Sequence, residues 1–201
     1  MIHQGRELVT GIVKSPVSSP LFLSKTQLEG DGQADLVYHG GEDKALCVYA
    51  SEHYPYWEKQ LNKKLSFGSF GENLTVSGML EDEVCIGDVF AIGEAVVQVS
   101  QPRQPCYKLA KRHDVVDLAV QVQDTGYTGF YFRVLQEGVI PPHPRVERIK
   151  KHELGVTLAD ANHVKYQDKS NISGIQRILS VEALSASWRE SFENRLAELT
   201  V

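Results

Sequence analysis

Gly87-Asp88-Val89-Phe90-Ala91-Ile92-Gly93, followed by Ala95-Val96-Val97-Gln98-Val99-Ser100, is the stretch that decides the fold. Both runs are short, rich in β-branched residues and separated by a tight turn, so they read as neighbouring strands. In the second run Val97 and Val99 alternate with Gln98 and Ser100. That is the period of a strand with one buried face. Working outward, Val9–Val13 reads as an opening strand, Lys44–Tyr49 as another, and Phe130–Leu135 and Arg145–Ile149 as two more. Many short strands punctuated by glycine favour a barrel or folded sheet, so residues 1–150 are expected to form a mainly β, barrel-like domain.

Two helices interrupt this region. Ser51 to Leu61 carries Tyr54, Trp57 and Leu61 at helical spacing, with Pro55 suited to a first turn. Asp114 is expected to cap a helix running through Val122, with Val115, Leu118 and Val122 as its apolar positions. After Pro141-Pro142-His143-Pro144 the pattern changes. Thr157 to Tyr166 reads as a short helix capped by Thr157, with Asp160 at its third position. Leu184, Trp188, Phe192, Leu196 and Leu199 then recur at intervals of four and three, as on an amphipathic helix. Residues 151–201 are therefore expected to be a small helical appendage, its aromatic stripe serving as core.

The 201 residues are enough to bury a core without cross-links. Apolar residues make up 42% and charged residues 23%, an ordinary globular composition. The net charge of −5 argues against a general nucleic-acid binder, which needs a concentrated basic field. No apolar run approaches the roughly 18 residues of a membrane helix, and the polar start Met1-Ile2-His3-Gln4 has no signal-peptide pattern. A cytoplasmic protein without a membrane partner is the expectation. Cys47, Cys85 and Cys106 are odd in number and widely spaced, which suits neither a disulfide framework nor a zinc site.

Cys106 follows Pro102 and Pro105, which restrict the backbone, and Arg103 and Lys108 are close in sequence. Either cation turned toward the sulfur would favour the thiolate, a nucleophile and a ligand for soft metals; otherwise the residue is an inert packed thiol. Cys47 and Cys85 lie among apolar strand residues and read as packing. Gly30 to Asp35 and Tyr38-His39-Gly40-Gly41-Glu42-Asp43-Lys44 is either a pair of turns or an anion nest with His39 and Lys44 as donors. Phe70-Gly71-Glu72-Asn73-Leu74-Thr75 is a turn closed by Asn73 or a wall through which Asn73 meets a ligand. Asp124-Thr125-Gly126-Tyr127-Thr128-Gly129 is likewise a plain turn or a set of hydroxyls and amides, Thr128 among them, facing an oxyanion. Phosphate-loop and dinucleotide fingerprints are absent.

Taken in order, His39-Gly40-Gly41 with Lys44-Ala45-Leu46, Phe70-Gly71-Glu72-Asn73-Leu74, Gly87-Asp88, Gln101-Pro102-Arg103 with Pro105-Cys106-Tyr107-Lys108, and Thr128-Gly129-Phe130-Tyr131 resemble the MOSC family. The name comes from the C-terminal domain of molybdenum-cofactor sulfurases. The last fifty residues resemble the three-helix appendage of its bacterial stand-alone, hydroxylaminopurine-resistance type. The resemblance implies a β-barrel with peripheral helices and a pyranopterin molybdenum cofactor. It implies that Cys106 is the catalytic residue and the molybdenum ligand. Arg103, Lys108, His39, Lys44, Asn73 and Thr128 would hold the cofactor. The implied activity is reduction of N-hydroxylated compounds, such as base analogues, to amines. The alternative is a cofactor-binding, carrier or sulfur-transfer protein without its own turnover. An enzyme of the first kind needs a separate electron-donating reductase, because the chain shows no iron–sulfur or flavin motif. The family also carries an association with pyridoxal phosphate.

Overall fold

A computed structural model describes residues 2–3, 6–7, 11–32 and 40–200. Its centre is a six-stranded sheet in the order β10-β6-β7-β8-β4-β5. These strands are β4 (Leu46–Ala50), β5 (Leu74–Val76), β6 (Val89–Ile92), β7 (Ala95–Pro102), β8 (Phe130–Gln136) and β10 (Val146–Lys150). Two small sheets pair β1 (Ile2–His3) with β2 (Arg6–Glu7) and β3 (Leu21–Leu23) with β9 (Gly138–Ile140). The β6–β7 hairpin forms as its sequence requires, with Ile92 opposite Ala95 across the turn and Val89 opposite Gln98. Side chains of β7 alternate between buried and half-buried up to Val99, after which Ser100, Gln101 and Pro102 are all buried. The strand thus leaves a one-sided sheet and enters the interior just before Arg103.

The fold is mixed α/β rather than mainly β, because helix accounts for 33% and strand for 22%. The sheet is a half-barrel, and the expected closed barrel is not formed. Among the described residues its two ends, β10 and β5, do not pair with each other. The β4–β5 pair is parallel, so the chain needs a crossover between them. Helix α1 (Tyr54–Leu61), with Pro55 in its first turn as expected, makes that crossover. Helices α2 (Tyr107–His113) and α3 (Leu118–Thr125) follow β7, and α4 (Leu158–Asn162), α5 (Ile172–Leu179) and α6 (Ala186–Leu199) follow β10.

The sheet separates two apolar cores. Leu46, Val48, Phe90, Ile92, Val97, Val99, Phe130 and Phe132 pack with Leu158, Ala161, Val164, Ile175, Ile178, Trp188 and Phe192 of the C-terminal helices. On the opposite face Tyr49, Tyr54, Trp57, Phe70, Leu109, Leu118 and Val122 form the second core with α1, α2 and α3. The alternation inside β4 decides the division: Leu46 and Val48 enter one core, Tyr49 the other. Aromatic contacts reinforce the second core, with Tyr49 stacked on Phe70 at 4.3 Å between centroids.

Some local expectations are corrected. Asp114 does not start a helix; it adopts a left-handed conformation (φ 58°) and ends α2, and α3 begins at Leu118. Asp tolerates that conformation better than most residues, which suits it to a helix end as well as a start. Gly11–Val13 form a turn and irregular chain instead of a strand, and Val9 and Thr10 lie outside the described residues. Thr157 does cap α4, accepting from Asp160 N at 3.0 Å while Asp160 accepts from Thr157 N at 3.3 Å. The chain then continues through a π turn over His163–Gln167, and α6 starts after the cap Ser185. Among the described residues no helix is long and apolar enough to cross a membrane.

Candidate functional site

The end of β7, the start of β8 and β4 meet at one place. Pro102 pairs with Phe130, Val48 also pairs with Phe130, and Cys47 lies directly opposite Tyr131. Arg103 continues the β7 direction by one residue, donating its backbone N–H to Gly129 O at 2.9 Å. Gly129 has φ +68°, and a Cβ there would fall 2.4 Å from Val48 O, so the close approach of this loop to β4 needs glycine.

The Arg103 side chain is 5% exposed. Burial alone would lower its pKa, but the Cys47 and Cys106 thiols, the Tyr131 phenol and the Glu72 carboxylate around it raise the value above the ordinary one. The guanidinium therefore stays charged. Its Nη1 is buried and has no hydrogen-bond partner. A buried cation with an unsatisfied donor is costly, and an anion or other acceptor placed there would remove the cost. Glu72 does not fill that role. Its carboxylate accepts from Gly68 N at 2.9 Å, Phe70 N at 3.0 Å, Thr75 Oγ1 at 2.9 Å and the Tyr54 hydroxyl.

The three thiols differ in setting. Cys106 is half-buried at the N-terminal boundary of α2, whereas Cys47 and Cys85 are buried. Burial pushes the Cys47 thiol up to about 11 against the opposing pull of Arg103, and burial also raises Cys85. Iodoacetamide applied to the native protein near neutral pH should therefore label Cys106 alone, and intact-mass measurement followed by peptide mapping checks it. Labelling of Cys47 at a comparable rate would show that burial does not protect it.

The other sequence candidates divide. Lys108 is buried in the first turn of α2, two residues beyond Cys106. Lys44 ends a short 3₁₀ turn that packs on β7 and β8, where Ser100 Oγ donates to Asp43 O at 2.6 Å. Asn73 is engaged within the protein: its Oδ1 accepts from Cys47 N at 2.9 Å, its N–H donates to Cys47 O at 2.8 Å, and its Nδ2 donates to Asp31 at 2.6 Å. It ties the chain before β5 to β4 beside Cys47. Thr128 is fully buried, and its hydroxyl donates to Gly129 O at 2.9 Å and accepts from Asn162 Nδ2 at 2.9 Å. His39 lies outside the described residues.

Sequence reading missed four participants. Tyr131 faces Cys47 across two strands, a pairing that only the register reveals. Glu81 accepts from Gly129 N at 2.8 Å and pairs with buried His53 at 2.7 Å, and the His53 ring stacks on Tyr127 at 4.0 Å. Together they hold the loop on which Arg103 rests. Asn162 reaches the same loop from α4. Among the described residues no group of three or more His, Cys, Asp or Glu side chains could hold a metal ion. No arrangement of them supports the pyridoxal phosphate association.

The comparisons with known proteins agree with this architecture. The MOSC domain matches residues 35–147, and the YiiM-like 3-alpha helix domain matches residues 156–199. The Bacillus subtilis (strain 168) protein YflK is 56% identical over 190 residues, covering 94% of this chain and 86% of its own. The crystal structure of YiiM from Geobacillus stearothermophilus superposes with a TM-score of 0.84 at 46% identity, covering 94% of this chain and 91% of that one. A protein of Gibberella moniliformis (strain M3125 / FGSC 7600) named "Reductase" is 36% identical over 140 residues, covering 68% of this chain and 25% of its own. With both parts matched in order, the chain belongs to the MOSC domain family and carries the YiiM-like three-helix C-terminal domain.

Proposed function

We propose that this protein binds the pyranopterin molybdenum cofactor at the Arg103–Cys106 site and acts as a binding, carrier or sulfur-transfer protein for it. Family membership is consistent with a role associated with that cofactor. The observation that carries the reading is the buried guanidinium of Arg103, whose Nη1 has no partner. The cofactor is anionic, and arginine suits bidentate contact with a phosphate. Lys108 and Lys44 add positive charge near the same strand ends, and His39 keeps the role that the motif implies. Asn73 and Thr128 act by holding β4 and the Gly126–Gly129 loop in place. Cys106 offers a single, partly accessible sulfur. With no protein cluster able to hold a metal among the described residues, the remaining ligands would have to arrive with the cofactor.

Similarity to the fungal protein named "Reductase" favours a second reading as a reductase, for which the family resemblance implies N-hydroxylated compounds as substrates and amines as products. When bound, the cofactor supplies two-electron redox chemistry. The balance is R–NHOH plus two electrons and two protons giving R–NH₂ and water, with a separate reductase as electron donor. Turnover of hydroxylaminopurine with an artificial donor separates this reading from the first.

The test is pterin and molybdenum content after purification from a cofactor-producing host. Wild type should retain both. Charge-assisted hydrogen bonds contribute about 1.5–3 kcal/mol, so Arg103→Ala should weaken retention by roughly 10- to 100-fold while keeping a cooperative melt. Equal occupancy in the two proteins would remove Arg103 from the site.

A further inference from the structure

The Gly87-Asp88 pair takes no part in the Arg103–Cys106 site; it builds a wall elsewhere. Asp88 is fully buried. Its Oδ1 accepts from the His152 backbone N–H at 2.7 Å, and its Oδ2 accepts from the Cys85 backbone N–H and Arg148 Nη1, both at 3.2 Å. Gly87 has φ +91°, and a Cβ there would fall 2.4 Å from the His152 ring, so only glycine lets that ring pack so closely. These contacts fix β10 and the residues just beyond it against the start of β6.

The same segments line a cavity of about 530 Å³, a size within the range of small-molecule sites. Met79, Phe90 and Val146 give it an apolar lining, and four of its other side chains are charged. Arg148 and Lys151 come from β10 and the chain just after it. Asp82 and Glu83 come from the loop before β6, on a turn closed by the Glu83 and Val84 backbone N–H groups donating to Leu80 O at 3.0 and 3.1 Å. Each sign of charge therefore belongs to its own segment. Arg148 uses a single nitrogen, Nη1, for Asp88 and for Glu83 O at 3.1 Å, so its Nε and Nη2 stay available. Lys151, Asp82 and Glu83 are exposed, and among the described residues none of their side chains makes an ion pair or a hydrogen bond.

That balance selects the ligand. A simple anion or a simple cation would meet two charges that attract it and two that repel it. A ligand bearing both signs satisfies all four, and an apolar body suits the rest of the lining. We propose that this cavity binds a free amino acid with an apolar side chain. Its carboxylate lies on Arg148 and Lys151, its ammonium on Asp82 and Glu83, and its side chain against Met79, Phe90 and Val146. No residue of the Arg103–Cys106 site lines the cavity, so this inference is independent of the cofactor reading.

Calorimetry on the whole chain tests it with L-leucine, L-methionine and L-phenylalanine. Each is compared with the acid that lacks its ammonium and with the amine that lacks its carboxylate. At least one amino acid should bind about tenfold or more tightly than either counterpart, the usual effect of losing a hydrogen-bonded charge. Lys151→Gln should cut the preference over the amine several-fold. Asp82→Asn combined with Glu83→Gln should remove the preference over the acid. All three side chains are exposed, so the variants should melt at the wild-type midpoint. Ser77 is an exposed lining residue, and Ser77→Trp should abolish binding by filling the mouth with a large ring. Binding of none of the three amino acids at millimolar concentration overturns the proposal. Equal affinity for the acid would make this an anion site, and equal affinity for the amine a cation site; either result overturns it too. Binding that the charge variants and Ser77→Trp leave unchanged lies elsewhere on the protein and is the remaining overturning result.

Discussion

Cys106→Ser should fold as wild type does and, in the proposed cofactor site, still hold pterin while losing the sulfur-ligand signature of the molybdenum together with any reductase activity. The substitution keeps nearly the volume but exchanges a soft, readily ionised sulfur for a hard hydroxyl that stays protonated near neutral pH. Cys106 is half-buried and precedes α2, and no side chain depends on it for capping, so the fold loses little. In the proposed site pterin retention would rest on Arg103 and its neighbours, so it should survive. Activity should fall by more than about 100-fold, the upper end of what changes one shell beyond a metal produce. X-ray absorption at the molybdenum edge reads the outcome directly: an unchanged number of sulfur neighbours would remove Cys106 from the metal. Cys47→Ser and Cys85→Ser serve as controls, because both thiols are buried and their pKa values are raised by burial.

Much of the fold is legible in short-range pattern. The β6–β7 hairpin, β8, α1 and the Thr157–Asp160 capping box follow from alternation, propensity and capping chemistry. Register and closure are not. Nothing local in Leu74–Val76 says that it pairs in parallel with β4, or that β10 and β5 remain edges of a half-barrel. Those depend on contacts between residues far apart in sequence, and they separate a mixed α/β fold from a barrel. Helix α5 was also illegible: Gly174 and three β-branched isoleucines lower its intrinsic propensity, and packing of Ile175 and Ile178 against the core overrides it.

The candidate site shows the same division. Proline restriction and nearby cations single out Cys106 and Arg103 from sequence, and the structure adds that Arg103 is buried with an unmet donor. What the sequence withholds is the surrounding set. Cys47 is an apolar-strand cysteine by pattern, yet it lies opposite Tyr131 and within the field of Arg103. Asn73 and Thr128 sit in turn-like runs that also admit a ligand role, and only their hydrogen bonds reveal that the protein itself uses their side chains. His53, Glu81 and Asn162 come from segments whose sequence signals, where there are any, are those of helix formation and not of a ligand site. Their convergence on the Gly126–Gly129 loop is a property of the tertiary structure.

Trp188→Ala should destabilise the whole protein, the sheet included, by about 3–5 kcal/mol, the usual cost of truncating a fully buried large aromatic residue. Trp188 is completely buried, stacks edge-on with Phe192 at 5.6 Å, and belongs to the same core as Val97, Val99, Phe130 and Phe132 of the sheet. Its loss also strips one of two aromatic faces from the Lys165 ammonium, which lies 5.2 Å from the Trp188 and Phe192 rings. Burial holds the Lys165 pKa down at about 8, so the charge has little water to turn to. For a chain of this size each kcal/mol lowers Tm by about 2–4 °C, so the shift should be on the order of 10 °C. Trp188→Phe should cost much less, since it keeps most of the apolar volume and removes an indole N–H that is buried without a partner. Because the sheet and the C-terminal helices share one core, Trp188→Ala should still unfold in a single transition, with far-ultraviolet and aromatic circular dichroism melting together. Two separated transitions, with the sheet signal holding the wild-type midpoint, would show that the helical unit is an independent module and that Asn162 reaches the site from a separately folding domain.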